Sequence, residues 1–173
     1  MAEPRRVLVT GSAGRLGRAA VRELKSRGHR VRGFDLIPSP NVEDEVVGSL
    51  LDEAALARAV DGIDVLVHLA ATPDDDHFLD RLVPNNLIGT HHVMEAARAA
   101  GVGRYVLASS GQVVWWQRFS GPLPIGVDAP PTPRGSSQRP SVWRSNLRRF
   151  GTTTGTSPAS RTGCWLAASG TGR

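Results

Sequence analysis

Three glycines near the N-terminus have the spacing of a phosphate-binding turn. Gly11, Gly14 and Gly17 follow the apolar run 7–9 and open a segment with helical spacing, an order that predicts a strand, a tight turn and a helix. Gly11 suits the turn, Gly14 lets the backbone approach a pyrophosphate, and Gly17 lets the helix pack closely on the strand. The helix N-terminus adds free N–H groups and a positive dipole. The spacing therefore predicts dinucleotide binding, although three glycines alone also fit a plain turn.

One acidic residue lies at the position where a dinucleotide's ribose would be bound. Asp35 ends the predicted second strand, 30–34, and comes 18 residues after Gly17, close to the spacing at which a carboxylate accepts from the ribose hydroxyls. Its charge would repel a 2′-phosphate, so it favours NAD over NADP. Arg15 and Arg32 are close in sequence and weaken that preference. An ordinary acidic strand end is the alternative explanation.

A helix must follow the glycine turn to present these groups. Leu16, Ala19, Ala20 and Leu24 recur at helical spacing, and we expect this face to pack on the sheet. Gly28 supplies a left-handed stop at the C-terminus of the helix.

Strands and helices continue to alternate as far as residue 110. We predict a third strand and its exit at 46–50, a helix from its cap Asp52 to Gly62, a fourth strand within 65–71, a helical stretch at 78–100 interrupted by Pro84, and a fifth strand at 105–109. The fourth strand is apolar on both faces, as in the middle of a parallel sheet. This alternation predicts an α/β fold, a Rossmann-like doubly wound parallel sheet that binds ligands at the carboxyl ends of its strands.

No histidine or acidic cluster has the spacing of a metal site. His68 stands alone near the end of the fourth strand, and we interpret it as a hydrogen-bonded structural residue. His91 and His92 are adjacent, so they face different directions on a helix. Residues 73–77 are typical of an acidic surface loop and lack the spacing of a calcium loop. We therefore predict no metal ligands.

Charge is distributed unevenly along the 173 residues, whose formal net charge is +5. All acidic side chains precede residue 129, and residues 129–173 carry seven arginines and no acid. We predict an NAD(P)-binding Rossmann domain at 1–133 that is incomplete at its C-terminal side, followed by a basic tail rich in Ser, Thr, Gly and Arg at 134–173. The tail lacks helix and strand patterns, which predicts disorder or a segment translated out of frame.

Aromatic residues offer two further interpretations. Trp143, Phe150 and Trp165 lie among the arginines of the tail, an arrangement that could stack on single-stranded nucleic acid. No nucleic-acid-binding signature accompanies them, so we do not expect that partner. Trp115 and Trp116 could wall a substrate site or simply pack in a loop.

The sequence also bears on the cellular compartment. A single cysteine, Cys164, excludes an internal disulfide, and no apolar signal segment opens the chain. No stretch is long enough to span a bilayer. We therefore expect a cytoplasmic protein without membrane contact.

Five motifs in register resemble the extended short-chain dehydrogenase/reductase family, which includes sugar-nucleotide epimerases, dehydratases and uronate dehydrogenases. They lie at residues 10–17, 35, 67–71, 86–90 and 108–110, and the resemblance covers only the N-terminal part of the chain, to about residue 133. It implies an oxidoreductase or isomerase that uses NAD, with NADP disfavoured, on a sugar or sugar nucleotide. A homodimer is left open.

Carried over residue by residue, the resemblance implies a set of cofactor-binding positions. They are Gly11, Ser12, Ala13, Gly14, Arg15, Leu16, Gly17, Asp35, Ser49, Leu50, Leu69, Ala70, Ala71 and Asn86. Of these, 69–71 would line the cofactor cleft and Asn86 would steady the fourth helix and nearby strands, while Ser110 would be the substrate-side serine. Ser49 stands where the family usually places an aspartate against the adenine amino group, and a serine can accept that bond only without charge.

The resemblance also implies a catalytic pair that this sequence lacks. The family uses Tyr-x-x-x-Lys on a helix, where the lysine lowers the tyrosine pKa from its usual value of about 10. The family's spacing places the pair near 134–138, which reads Arg-Gly-Ser-Ser-Gln, and the chain's one tyrosine and one lysine are Tyr105 and Lys25. We therefore expect impaired catalysis. The alternative is a non-catalytic NAD-binding protein that senses redox state or acts through a partner.

Overall fold

The computed structural model describes residues 3–73, 76–114, 117–120, 125, 126, 129, 131 and 165–167. The chain divides into two compact units, of which the first runs to Ala108 and the second begins at Ser109. The acidic pair Asp74 and Asp75, the tryptophans 115 and 116, and most of the predicted tail lie outside the described residues.

Five parallel strands form most of the sheet. They are β1 (Arg6–Thr10), β2 (Arg30–Asp35), β3 (Asp44–Val47), β4 (Val65–His68) and β5 (Arg104–Ser110). Hydrogen bonding gives the order β3-β2-β1-β4-β5. The chain reverses its direction of winding between β1 and β4, and such a reversal opens a crevice at the carboxyl ends of the strands. The predicted α/β Rossmann-like sheet is confirmed.

Helices connect these strands on both faces of the sheet. They are α1 (Arg15–Ser26), α2 (Glu53–Val60), a π-helix (Phe78–Ile88) and α3 (Gly89–Ala99). Asp52 caps α2 by accepting from the N–H of Ala55 at 2.9 Å, and Gly28 has a φ of +84°, so both predicted helix boundaries are confirmed.

The segment around Pro84 is a π-helix that leads directly into α3. The N–H of Gly89 donates to the carbonyl of Pro84, a bond across five residues that defines this wider helix. A proline removes one N–H donor and breaks the regular α-helical ladder. The predicted interruption is therefore realised as a change of helix type.

Two apolar clusters fill the space on either side of the sheet. One packs the sheet against α2 and α3, and its fully buried side chains include Leu8, Phe34, Leu56, Leu66 and Val93. The other packs the sheet against α1 and contains Val7, Val9, Val21, Val31 and Val42. Burial on both faces explains the continuous apolar runs of the central strands.

The buried face of α1 differs from the predicted one. Gly17 and Val21 are its buried residues, whereas Leu16 is 57% exposed and Ala19 is also exposed. Leu24 does pack against the apolar cluster. Because α1 packs on the turn after β1 through the bare backbone of Gly17, its contact face includes Gly17 and Val21, and Leu16 lies outside it.

Strand ends also differ from the pattern. The third strand occupies Asp44–Val47, so it begins two residues before the predicted segment 46–50, and residues 48–50 are its exit. The N–H of Gly48 donates to the carbonyl of Asp35 at 2.9 Å just beyond the strand. The fourth strand ends at His68, three residues before the end of its apolar run. Leu69, the first residue beyond the strand, packs against the apolar cluster on the α1 side of the sheet.

The second unit contains short elements. They are a 3₁₀ turn (Gly111–Val114), α4 (Gln117–Ser120) and β6 (Trp165–Ala167). The strand β6 lies in the predicted tail, where the pattern predicts no regular structure. In the described part of the chain, no helix is both long enough and apolar enough to cross a membrane.

Candidate functional site

A cleft of about 520 Å³ lies where the first four strands end. Its walls are formed by the residues that follow β1, β2, β3 and β4, with a few from the π-helix. The lining residues are Gly11, Ala13, Gly14, Phe34, Asp35, Leu36, Ile37, Gly48, Ser49, Leu50, Leu69, Ala70, Ala71, Thr72, Pro73, Asp76, Arg81 and Asn85. Nine of the predicted cofactor positions are among them, which places three of the five motifs and the segment Ser49–Leu50 in one cavity.

Gly11 brings the turn after β1 into contact with the wall after β4. Its φ of +72° belongs to the left-handed region that favours glycine. A Cβ at this position would lie 2.8 Å from the backbone nitrogen of Ala70. Two backbones meet here without side chains, so the predicted tight turn is confirmed and its position is fixed by sterics.

Gly17 allows α1 to begin close to the same turn. A Cβ on Gly17 would lie 1.9 Å from the carbonyl oxygen of Gly11, a distance that no side chain tolerates. Gly14 is the N-cap of α1, no side chain caps the helix, and its first turn contains no acidic residue. Among the described residues, the first-turn N–H groups of α1 therefore have no side-chain cap and are suited to an anion.

Asp35 is held at the cleft by two backbone donors. Its Oδ2 accepts from the N–H of Ala13 at 2.9 Å, and its Oδ1 accepts from the N–H of Leu36 at 2.7 Å. These bonds fix the carboxylate between the glycine turn and the end of β2. Each carboxylate oxygen keeps a second lone pair for a ligand hydroxyl.

Arg32 is directed away from this carboxylate. Its Nη1 donates to the carbonyl oxygens of Arg58 at 3.1 Å and Asp61 at 2.9 Å, at the end of α2. Its Nε donates to Asp44 at 2.9 Å. Because the guanidinium is engaged at the C-terminus of α2, Arg32 does not offset the charge of Asp35.

The wall after β3 is held by α3. Ser49 accepts from the N–H of Leu51 at 3.1 Å through its Oγ, which leaves its hydroxyl hydrogen available to a partner. The carbonyl of Leu50 lies 3.3 Å from Nδ1 of His92. A Cβ on Gly89 would lie 2.7 Å from the Cβ of Leu50, so α3 packs directly on this wall.

Asn86 fastens the loop after β4 rather than lining the cleft. Its Oδ1 accepts from the N–H of Thr72 at 2.7 Å, and its Nδ2 donates to the carbonyl of Thr72 at 3.0 Å. The neighbouring Asn85 donates to the Thr72 hydroxyl at 2.9 Å and does line the cleft. The steadying role that the resemblance implies for Asn86, and its place among the cofactor-binding positions, stay predictions.

Other predicted positions do not line the cleft. Ser12 is fully buried and shares a hydrogen bond of 2.6 Å with Ser39, while Arg15 and Leu16 are exposed on the first turn of α1. Ser110 is the last residue of β5 and belongs to the second unit. A direct cofactor or substrate contact by these residues stays a prediction.

Several cleft residues were missed by sequence reasoning. Leu36 and Ile37 are 68% and 61% exposed in the cleft although both are apolar, and their place directly after Asp35 was a usable signal. Arg81 and Thr72 also line the cleft. Arg81 carried no such signal, because it reaches the cleft from a π-helix that the periodicity did not predict.

His68 lies beneath the cleft wall, with an exposure of 3%. Its Nδ1 is 2.7 Å from the hydroxyl of Thr10, and its Nε2 is 3.1 Å from the hydroxyl of Thr90. Burial disfavours the charged imidazole and lowers the pKa of His68 to about 4. The interpretation of His68 as a hydrogen-bonded residue is confirmed. The described residues contain no cluster of three or more potential metal ligands.

Comparison with known proteins shows a family match and curated relatives. Residues 7–122 match the NAD dependent epimerase/dehydratase family. The chain is 34% identical over 165 residues to L-arabinose 1-dehydrogenase (NAD(P)(+)) of Haloferax volcanii, covering 91% of this chain and 63% of that protein. The chain thus spans less than two thirds of this relative's length.

Solved structures give the same result. A short-chain dehydrogenase/reductase superfamily protein from Agrobacterium tumefaciens with bound NAD is 39% identical, with a TM-score of 0.73 over 93% of this chain and 48% of that one. Uronate dehydrogenase from the same organism, in a mutant form complexed with NAD, is 34% identical, with a TM-score of 0.58 over 65% of this chain and 43% of that one.

Proposed function

Since the chain belongs to the NAD dependent epimerase/dehydratase family, we propose that its cleft binds NAD in preference to NADP. The observation that carries the proposal is the convergence of Gly11, Asp35 and Ala70 on one cleft. These residues come from three motifs far apart in sequence. The NAD-bound structures of similar proteins support this assignment.

The cleft offers a matching partner for each part of NAD. The uncapped first turn of α1 suits the pyrophosphate, and the fixed carboxylate of Asp35 suits the adenosine ribose hydroxyls. Leu36 and Ile37 supply apolar surface for the adenine, with Ser49 as its polar neighbour. A 2′-phosphate would meet the charge of Asp35, and Arg32 is engaged elsewhere.

We further propose that this chain is catalytically impaired. Bound NAD supplies a hydride acceptor, but removal of the substrate's hydroxyl proton needs a general base from the protein. Tyr105 lies within β5, where burial raises its pKa. Lys25 lies on α1, where its Nζ donates to the carbonyl of Asn41 and pairs with Glu43. The family's Tyr-x-x-x-Lys sequence does not occur in the 173 residues, and Ser110 alone cannot replace it.

The same absence favours a second candidate function, a non-catalytic NAD-binding protein that senses redox state or acts through a partner. The names of similar proteins support a sugar as the substrate of an active form. A homodimer is supported by apolar side chains on the π-helix, where Phe78 and Leu79 are 62% and 73% exposed. We also propose a cytoplasmic location, for which the support is the sequence alone.

Calorimetry with NAD and NADP on the full 173-residue chain tests the binding proposal. We expect NAD to bind more tightly than NADP, and absence of NAD binding by the folded chain would contradict the proposal. Turnover is then measured with aldoses, uronic acids and nucleotide sugars, with a hydroxysteroid as the non-sugar comparator. An ordinary enzymatic rate with any of them would contradict the proposed impairment, whereas NAD binding without turnover would favour the second candidate.

A further inference from the structure

A chain of hydrogen bonds beneath the cleft joins the ends of β1 and β4 to α3. It runs from the hydroxyl of Thr10 through the imidazole of His68 to the hydroxyl of Thr90, at 2.7 and 3.1 Å. Thr90 continues it to the carbonyl of Asn86 at 2.8 Å. Three elements that are far apart in sequence are therefore tied together by side chains next to the residues that line the cleft.

The direction of each bond follows from counting hydrogens. The Thr90 hydroxyl has one hydrogen, which it donates to Asn86, so toward His68 it accepts and Nε2 carries a proton. The Thr10 Oγ1 accepts from the N–H groups of Leu69 and Ala70, each at 3.3 Å. Its own hydrogen is then directed to Nδ1 of His68, which accepts. The bonding fixes one neutral tautomer, with the proton on Nε2.

The two N–H groups that Thr10 holds belong to the cleft wall. Leu69 and Ala70 both line the cleft, and the N–H of Leu69 also donates to the carbonyl of Thr10 at 3.2 Å. Gly11 follows Thr10 and meets the backbone of Ala70. The Thr10 hydroxyl therefore holds the Leu69–Ala70 backbone at the place where it meets the glycine turn.

We propose that His68, as the Nε2-protonated neutral tautomer, is a positioning residue that sets the separation between the glycine turn and the Leu69–Ala70 wall of the cofactor cleft. It acts through Thr10 on the wall and through Thr90 on α3. The expected effect on NAD affinity rests on the proposed function. The tautomer of His68 and the rigidity of the Leu69–Ala70 wall do not depend on that proposal.

The tautomer is tested by ¹⁵N NMR of the imidazoles in the full chain without ligand. We expect His68 to show a protonated Nε2 and an unprotonated Nδ1, unchanged from about pH 7.5 to about pH 5. The five histidines are distinguished by the loss of one signal set in a His68→Gln variant. A proton on Nδ1, or an imidazolium within this pH range, would overturn the proposal.

Positioning is tested by changing the acceptor of Nε2. Thr90→Val removes the hydroxyl with little change of shape, whereas Thr90→Ser keeps it. In the valine variant we expect amide exchange of Leu69 and Ala70 to become faster and NAD affinity to fall about tenfold, with the serine variant within about twofold of the original chain. Ser26→Ala is the matched control, because it removes an exposed hydroxyl bond to Glu23 of 2.8 Å on α1.

The two proposals fail in different ways. If the original chain binds no NAD, the proposed function fails, and the amide exchange of Leu69 and Ala70 still decides the role of His68. If Thr90→Val is folded by circular dichroism and leaves both exchange and NAD affinity unchanged, the positioning role is overturned. If that variant does not fold, the comparison is made with Thr90→Ala and Thr90→Ser, where the same contrast is expected.

Discussion

Asp35 Oδ2 accepts a hydrogen bond of 2.9 Å from the backbone N–H of Ala13, so the carboxylate at the end of β2 is fastened to the glycine turn that follows β1. The bond joins the two features that the sequence offered as cofactor-binding motifs. It also orients the negative charge toward the cleft, since both residues line it. Discrimination between cofactors is the property that this relationship controls.

Asp35→Asn should shift the cofactor preference toward NADP. The amide removes the charge that repels a 2′-phosphate and turns one of the two acceptors into a donor that faces a backbone N–H. We expect the NAD-to-NADP affinity ratio to fall about tenfold or more, as measured by calorimetry. Glu23→Gln, which neutralises an exposed acid paired with Arg27, should leave the ratio unchanged, and a ratio that moves equally in both variants would exclude a specific role for Asp35.

Gly17→Ala should destabilise the first unit strongly. Its Cβ would lie 1.9 Å from the carbonyl oxygen of Gly11, so either the turn or the helix must move. We expect the free energy of unfolding in urea to fall by about 3 kcal/mol or more. Gly28→Ala is the comparison, because its Cβ meets open space and the only cost is that of a φ of +84°, about 1 to 2 kcal/mol. Equal losses would show that steric contact at Gly17 is unimportant.

Stability should depend on pH through His68. Its folded pKa of about 4 lies below the ordinary value of 6.5, so the unfolded chain binds the proton more readily between these values. The contribution of neutral His68 to the free energy of unfolding is fully present above about pH 6.5. It is lost as the pH falls toward about 4, by up to about 3 kcal/mol. Urea unfolding at a series of pH values measures it.

A His68→Gln variant provides the control for that measurement. It lacks the titrating ring, so its unfolding free energy should depend less on pH between about 4 and 6.5. The pKa values of Glu43 and Glu95 are lowered by their hydrogen bonds to Lys25 and Arg98. The stability that is lost when these two carboxylates are protonated in acid is the same in both proteins. Identical pH profiles would contradict the buried, neutral state of His68.

Arg32→Met should lower stability without changing cofactor preference. The guanidinium bonds to carbonyls at the end of α2 and to Asp44, and methionine keeps only the apolar stem. We expect a loss of about 1 to 3 kcal/mol in unfolding free energy. The NAD-to-NADP affinity ratio should stay within about twofold, and a marked shift toward NAD would show that Arg32 does face the ribose.

Local constraints made the centre of the site predictable. Gly11 and Gly17 are glycines because backbone passes within a side chain's reach of them, and Asp35 ends its strand at a fixed distance along one βαβ unit. Such requirements act within a short stretch of chain. They are therefore visible as residue types at fixed spacing.

The other features of the site depend on contacts between residues whose spacing in the sequence follows no pattern. Ser12 has the same motif assignment as its neighbours, yet it is buried against Ser39, 27 residues away. Arg81 and Asn85 reach the cleft from a π-helix, in which the angle between successive side chains differs from that of an α-helix. The apolar periodicity of α1 likewise could not anticipate that the helix packs on the glycine turn through Gly17.

The two apolar side chains after Asp35 have a thermodynamic consequence. Leu36 and Ile37 line the cleft and are exposed to solvent, so a ligand that covers them removes apolar surface from solvent. Removal of apolar surface lowers the heat capacity of the complex. The enthalpy of cofactor binding should therefore become steadily more favourable as the temperature is raised, and replacing both side chains by serine should flatten that slope.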